Sequence, residues 1–290
     1  MELLLFQLMN GAVVGVFYGL MALGLALILS LTRVINLAHG GFLVLGAYLA
    51  YTLLPHLGFW GSLILGAALL ALLAAGLERL VIRPLYRRDP LESLLLTFGL
   101  ALVLEEAVRM IWGPVGVPFP IPQALGSPLF PGTPLFFLSK YRVFIILVGS
   151  GLVLLLFLFL SRTRLGLYIR AAAQDNETLS ALGTNVWSLY TLSFALGVFL
   201  AGLAGVLAAG QLGLSPTMGN SLLMPSFVAL IVGGVGSLGG AFLGGILVGM
   251  VSGLAGQFAA AASEFSVYLL LALVLLFRPR GLFGQEGFFE

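Results

Sequence analysis

The stretch RTRLGLYIRAAAQDNETLSALGTN, residues 162–185, carries several charges and amides between two segments that are apolar enough to cross a bilayer. Its middle, residues 169–182, is Ala-rich and closed by Gly183, which predicts a short helix. A polar helix of about 14 residues cannot span, because a crossing needs about 20 mostly apolar residues. One apolar edge, with Ala172 and Leu179, and a charged remainder predict a helix at a membrane surface or in a partner's groove.

Composition predicts a membrane protein. Of 290 residues, 60% are hydrophobic and 8% are charged, against about 25% charged residues in soluble domains. The absence of cysteine excludes disulfides and thiolate chemistry. We therefore expect an all-α polytopic helical bundle that forms one transmembrane domain over residues 1–290.

Nine apolar stretches are candidate spans, and we expect eight or nine crossings. The seventh stretch is short and Gly-rich enough to be re-entrant instead. The stretches are residues 3–31, 37–54, 60–81, 91–112, 143–160, 187–209, 222–235, 241–258 and 265–277.

Basic residues predict the orientation. An odd number of crossings places ten of the thirteen Lys and Arg residues on one side, which the positive-inside rule makes cytoplasmic. The N-terminus is then outside, the C-terminus and segment 162–185 are cytoplasmic, and the Pro-rich loop 113–140 is extracytoplasmic. That loop is either a plain connector or a docking surface for an extracytoplasmic partner. The ten are Arg33, Arg79, Arg83, Arg87, Arg88, Arg162, Arg164, Arg170, Arg278 and Arg280.

Glycines recur at four-residue spacing and predict close helix packing. Small residues on one face let helix backbones approach in lipid, although such a stripe can also line a pore or form a hinge. The predicted faces are Gly11, Gly15 and Gly19, then Gly236, Gly240 and Gly244, and finally Gly245, Gly249 and Gly253.

Charged residues interrupt the fourth apolar stretch. Glu105 and Glu106 lie four and three residues before Arg109, so these side chains can pair on one helix face. At 1.5 Å per residue, Glu105 lies about 24 Å from Asp89, close to the outer interface. The group is either a self-neutralising interfacial cluster or a charge relay or substrate site.

A second polar group is NLAHGG, residues 36–41. Two glycines next to Asn36 and His39 predict a helix start or break with free backbone groups. Asn36, His39 and Gly40 are therefore candidate substrate-pathway residues, and the alternative is an interhelical hydrogen-bond knot. No acidic residue flanks either histidine at ligand spacing, so we expect no metal site.

Catalytic motifs give no support for an enzyme. The sequence contains no GxxxxGK[ST] loop, GxSxG elbow or HExxH motif, and no carboxylate near the bilayer centre as in proton-coupled carriers. We expect the chain itself to bind no cofactor.

Several long motifs resemble one transporter family. Residues 10–50, NGAVVGVFYGLMALGLALILSLTRVINLAHGGFLVLGAYLA, and residues 164–185 are similar to LivH-type permeases of branched-chain amino acid ABC importers, as are VGGVGSLGGAFLGG and FRPRGLFG. The resemblance implies an all-helical permease in the inner or plasma membrane that pairs with a sister permease, as a homodimer or heterodimer. It also implies two cytoplasmic ATPase subunits that bind ATP and Mg²⁺, and an extracytoplasmic substrate-binding protein.

The resemblance further implies which residues contact the ATPases and which cargo is moved. The coupling residues would be Arg170, Ala171, Ala172, Ala173, Gln174, Asp175, Glu177, Leu179 and Gly183. The cargo would be a branched-chain or similar hydrophobic amino acid, with urea or short amides as alternatives. From the residues alone, the alternative interpretation of the function is a self-sufficient channel or secondary carrier. Membrane lipid is an expected partner and nucleic acid is not.

Overall fold

Helices make up the regular structure of this chain. The computed structural model describes residues 2–86, 88–131 and 138–284. Within those residues the all-α class is confirmed. The α-helices are α1 (Glu2–Thr32), α2 (His39–Leu77), α3 (Pro90–Trp112), α4 (Gln123–Gly126), α5 (Lys140–Arg162), α6 (Arg164–Gln174), α7 (Asn176–Ala181), α8 (Val186–Leu212), α9 (Met218–Gly233), α10 (Leu238–Gly256) and α11 (Ala260–Phe277).

The predicted spans fall on these helices. In the described residues, α1, α5, α8, α10 and the unit that begins with α2 are long and apolar enough to cross a membrane. The helices α9 and α11 are apolar but shorter. The chain is therefore a membrane protein with at least five spanning-capable helices.

The second helix folds back on itself. Its backbone leaves helical geometry at Gly58, where φ is 63°, three residues after Pro55. A Cβ built on Gly66 would lie 2.8 Å from the Cα of Ala50, so the two halves are in close contact. Since residues on either side of Gly58 meet, α2 is an antiparallel hairpin that holds two of the predicted spans.

The first helix lies at the centre of the bundle. Val13, Phe17 and Met21 are fully buried, as is most of the apolar part of this helix. A helix that is apolar on all sides belongs in the middle of a helical assembly, where each face meets another helix. The eighth helix, α8, packs beside it and is nearly as buried.

Two glycine stripes join α1 to α10, which confirms the predicted close packing. A Cβ on Gly245 would lie 2.3 Å from the Cα of Gly19, and one on Gly249 would lie 2.4 Å from the Cα of Gly15. A Cβ on Gly11 would meet the carbonyl oxygen of Gly249 at 2.5 Å. Along this contact, the glycine seam, neither helix has room for a side chain, because the backbone of the other helix lies in the way.

The prediction that Gly236 shares a helix face with Gly240 and Gly244 is wrong. Gly236 precedes α10 and has φ 90°, in the turn that follows α9. The other two glycines do lie on α10 and pack on α9 at Gly233. Sequence spacing alone cannot show where a helix begins, and the run of glycines hides the turn.

The Pro-rich loop caps one end of the bundle. Val117 and Leu214 exchange backbone hydrogen bonds of 2.8 and 2.9 Å, which tie the loop to the end of α8. One helical turn, α4, interrupts an otherwise irregular path. Part of the loop, residues 132–137, lies outside the described residues, as does Arg87 of the basic cluster.

Candidate functional site

The polar segment between α5 and α8 contains two short helices, so the prediction of one helix over residues 169–182 is wrong. The helices α6 and α7 meet at Asp175, whose carboxylate accepts from the amides of Glu177, 3.1 Å, and Thr178, 3.0 Å. An aspartate in this position favours a new helix start over a helix interior. Hydrogen bonds from the Thr178 hydroxyl and these amides hold the pKa of Asp175 below its ordinary value, so an exposed negative charge marks the break.

The end of α7 agrees with the sequence. Gly183 has φ 85°, the conformation that glycine adopts most readily after a helix. Its amide donates to the carbonyl of Ser180 at 2.9 Å, and the amide of Thr184 donates to that of Leu179 at 3.3 Å. This pair of bonds closes the helix and turns the chain toward α8.

The buried side of this segment includes two residues of the expected contact face. Ala172 and Leu179 are buried against the rest of the chain. The ATPase contact that the resemblance implies for them stays a prediction. Ala171 and Ala173 are partly buried. The apolar edge of the two helices therefore fastens the segment to its own bundle. The residues left exposed include Arg170, Gln174, Asp175, Glu177, Leu182 and Gly183.

Contacts with α8 hold the segment in place. The side-chain amide of Asn176 donates to the hydroxyl of Tyr190 at 2.7 Å, and the ring of Tyr190 packs edge-on against Tyr86, 5.5 Å away. A cavity of about 380 Å³ lies between these residues, the end of α1 and the start of α7. Movement of α7 would therefore be transmitted to α8 and to the connection between α2 and α3.

A buried ionic network adjoins that contact. Glu78 is fully buried, and its carboxylate is 3.0 Å from the guanidinium of Arg83 and accepts from the Thr191 hydroxyl at 2.7 Å. Arg83 also donates to Thr191 and to the carbonyl of Trp187, and its guanidinium lies over the Trp187 ring. The network ties the end of α2 to the first turns of α8.

Sequence reasoning missed this network because its spacing is not α-helical. Glu78 and Arg83 are five residues apart, a separation that places side chains on different faces of an α-helix. The segment Glu78–Ile82 is a π-helix, whose wider turn brings positions five apart to the same side. A charged residue inside a predicted span was the available signal.

The polar break at residues 36–41 is buried at the start of α2. Asn36 and His39 are 2% and 0% exposed, and a Cβ on Gly24 of α1 would lie 2.8 Å from the His39 ring. In the described residues, the Asn36 amide nitrogen has no hydrogen-bond partner. Gly40 packs on Gly219 of α9. His39 thus packs on α1 and Gly40 packs on α9. The place of Asn36, His39 and Gly40 in a substrate pathway stays a prediction.

The third helix supplies a contact that the sequence did not indicate. The Thr97 hydroxyl donates to the carbonyl of Ile35 at 3.2 Å and accepts from the amide of Leu37 at 3.3 Å. These bonds satisfy backbone groups that the break between α1 and α2 leaves free. A lone threonine in an apolar helix is common, so its role is visible only in three dimensions.

Known proteins with similar sequences identify the family. The profile described as "Branched-chain amino acid transport system / permease component" matches residues 7–277. The chain belongs to this family. The match begins within α1, ends with α11, and includes the polar segment 162–185 and the polar break 36–41.

Individual relatives of this permease match over nearly its whole length. BraD of Pseudomonas aeruginosa, a high-affinity branched-chain amino acid transport system permease protein, is 33% identical over 96% of this chain and 95% of that protein. LivH of Escherichia coli K12 is 28% identical over the same shares. LivM of the same organism is 30% identical over 93% of this permease and 68% of LivM. These relatives are transport components rather than enzymes.

Proposed function

We propose that this permease is the membrane subunit of an ABC importer that moves branched-chain or similar hydrophobic amino acids across the inner or plasma membrane. ATP hydrolysis would occur on two separate cytoplasmic subunits, a sister permease would complete the membrane pair, and a soluble binding protein would deliver the cargo from outside. The names of BraD, LivH and LivM support this cargo.

The polar segment 162–185, here called the coupling segment, is the observation that carries the proposal. Its two helices are too short and too polar to span, and they present exposed charged residues while their apolar edge is packed on the bundle. Through Asn176 and Tyr190 the segment contacts α8, and α8 contacts α2 through Glu78. A force applied by a partner to α6 and α7 would therefore reach the spanning helices.

The same segment supports the proposed orientation, with nine crossings and a cytoplasmic C-terminus. Arg33 and Arg170, which belong to two different basic clusters, line one cavity of about 580 Å³. The Pro-rich loop lies at the end of α3 farthest from this cavity.

Because the chain has no cysteine, single cysteines at Gln123 and Asn176 test the arrangement directly. A membrane-impermeant thiol reagent should label the first only from outside and the second only from the cytoplasm, and labelling of both from one side would refute it.

Reconstitution tests the function. We expect vesicles that hold this permease with its sister permease and ATPases to take up leucine only with ATP and the binding protein. Leucine flux through the permease alone would contradict the proposal and favour a channel or carrier.

In the complete complex, Leu182→Glu should reduce ATPase association, because Leu182 is 77% exposed on the coupling segment. Leu91→Glu, at a site outside the segment that is 67% exposed, is the matched control. Normal association of the Leu182 variant would remove the segment from the contact.

A further inference from the structure

A mixed-charge cluster lies in the second half of α3, away from the coupling segment. Arg109 pairs with Glu105, and its guanidinium is 3.8 Å from the carboxylate of Glu106, which confirms the predicted pairing. The side-chain amide of Asn220, in the first turn of α9, donates to the second carboxylate oxygen of Glu105 at 2.9 Å. Three ionisable groups of α3 and one amide of α9 therefore form one connected group.

The cluster lies deeper than the sequence suggested. Trp112, at the end of α3, donates to the Thr52 hydroxyl at 2.9 Å, and tryptophan favours the membrane interface. Glu105 is seven residues before Trp112, which places it about 10 Å farther into the bundle. Leu104 packs on Gly41, so the cluster lies level with the starts of α2 and α9 rather than at the outer interface.

Charge within the cluster is not balanced. Glu105 and Glu106 supply two carboxylates, and Arg109 is the basic side chain within 4 Å of them in the described part of the chain. Glu105 is 16% exposed and satisfied by two partners, whereas Glu106 is 63% exposed and has one long contact. An unmatched charge at this depth is costly, so such groups usually face a pathway or a ligand. The cluster lacks one positive charge.

An apolar surface adjoins the open side of the cluster. Glu106 and Arg109 follow Leu102 by four and seven residues, so the three side chains lie on one face of α3 within about 60°. Leu102 and Val103 are 53% and 63% exposed. This face therefore offers a carboxylate, a guanidinium and aliphatic surface side by side.

We infer that this face binds the zwitterionic α-amino acid inside the membrane. The ligand ammonium pairs with Glu106, its carboxylate pairs with Arg109, and its aliphatic side chain lies on Leu102 and Val103. The ligand ammonium supplies the missing positive charge, and two charge-assisted hydrogen bonds replace the 3.8 Å contact. Glu105, held by Arg109 and Asn220, orients the guanidinium. The inference rests on the proposed function and names the chemistry by which the permease recognises its cargo.

Binding to the reconstituted importer without its binding protein tests the inference. The probe is radiolabelled leucine, with competition by 4-methyl-2-oxopentanoate, which lacks the ammonium, and by isopentylamine, which lacks the carboxylate. We expect the wild-type complex to bind leucine about tenfold more tightly than either analogue, because each loses one charge-assisted bond. Glu106→Gln and Arg109→Gln should each weaken leucine binding by about tenfold and abolish the preference over the analogue that lacks the corresponding charge.

Glu92→Gln on the same helix is the matched control, since Glu92 forms an exposed pair with Arg88 at the other end of α3. It should leave leucine binding and analogue preference unchanged. Equal leucine affinity in all variants would overturn the inference, as would loss of the sister permease from the Glu106 and Arg109 variants with normal leucine binding in the remaining complexes. Absence of ATP-driven leucine uptake by the wild-type complex would instead contradict the proposed function itself.

Discussion

Gly245→Val is expected to separate α1 from α10 and to prevent stable assembly of the bundle. Even a single Cβ at this position would lie 2.3 Å from both the Cα and the backbone nitrogen of Gly19. Because backbone cannot rotate away as a side chain can, the helices must move apart along the whole glycine seam. Overpacking of an ordinary core costs about 1 to 3 kcal/mol, and we expect this substitution to exceed that range.

Thermal unfolding of the purified permease in detergent measures the effect. Gly151→Val on α5 is the matched control, because nothing lies within 4 Å of a Cβ built there. The control should unfold near the wild-type temperature, and the Gly245 variant should unfold at a much lower temperature or fail to accumulate. Similar unfolding temperatures for both variants would mean that the seam does not hold the bundle together.

The glycine seam shows what sequence spacing can and cannot predict. Four-residue repeats identified Gly11, Gly15 and Gly19 as a packing face, because helix periodicity fixes which residues of one segment lie together. The repeats could not show that this face meets Gly245 and Gly249, since pairing of helices depends on their arrangement in space. The same periodicity failed at Gly236, where the chain is not helical.

Local breaks in helices were the other limit on prediction from the sequence. A sequence rich in alanine predicted one helix through Asp175, yet the carboxylate captures two amides and starts a second helix. Gly58 likewise joins two predicted spans through one hairpin helix. In both places a single residue decides the path, against neighbours that favour helix, and average propensity over a window cannot detect it.

The candidate site, like the fold, could be predicted from the sequence only in part. The polar break and the charged stretch on α3 were visible, because polar residues are rare in apolar segments. Their partners were not: Thr97 and Asn220 come from helices far away in sequence. Prediction from sequence therefore found the groups that need partners, and the fold was required to show which residues meet that need.

Glu78→Ala is expected to uncouple ATP hydrolysis from transport and to destabilise the end of α2. The substitution leaves Arg83 and the Thr191 hydroxyl without their shared acceptor in the contact between α2 and α8. Removal of one partner from a buried pair costs about 3 to 5 kcal/mol, and we expect the lower end because Arg83 is 27% exposed and can reach solvent. Tyr86 and Tyr190 lie next to this contact, so α7 would lose its firm connection to both helices.

Three measurements on the reconstituted importer check this prediction: thermal unfolding, ATP hydrolysis and leucine uptake. We expect the Glu78→Ala complex to retain ATPase subunits and hydrolysis but to take up much less leucine per ATP. Glu78→Gln keeps an acceptor for Thr191 and should fall between the alanine variant and the wild type. Glu92→Ala removes an exposed ion pair and should change stability by less than about 1 kcal/mol, with normal uptake. If Glu78→Ala lowers stability while leucine uptake per ATP stays at the wild-type value, the network only holds the fold and does not transmit movement from α7.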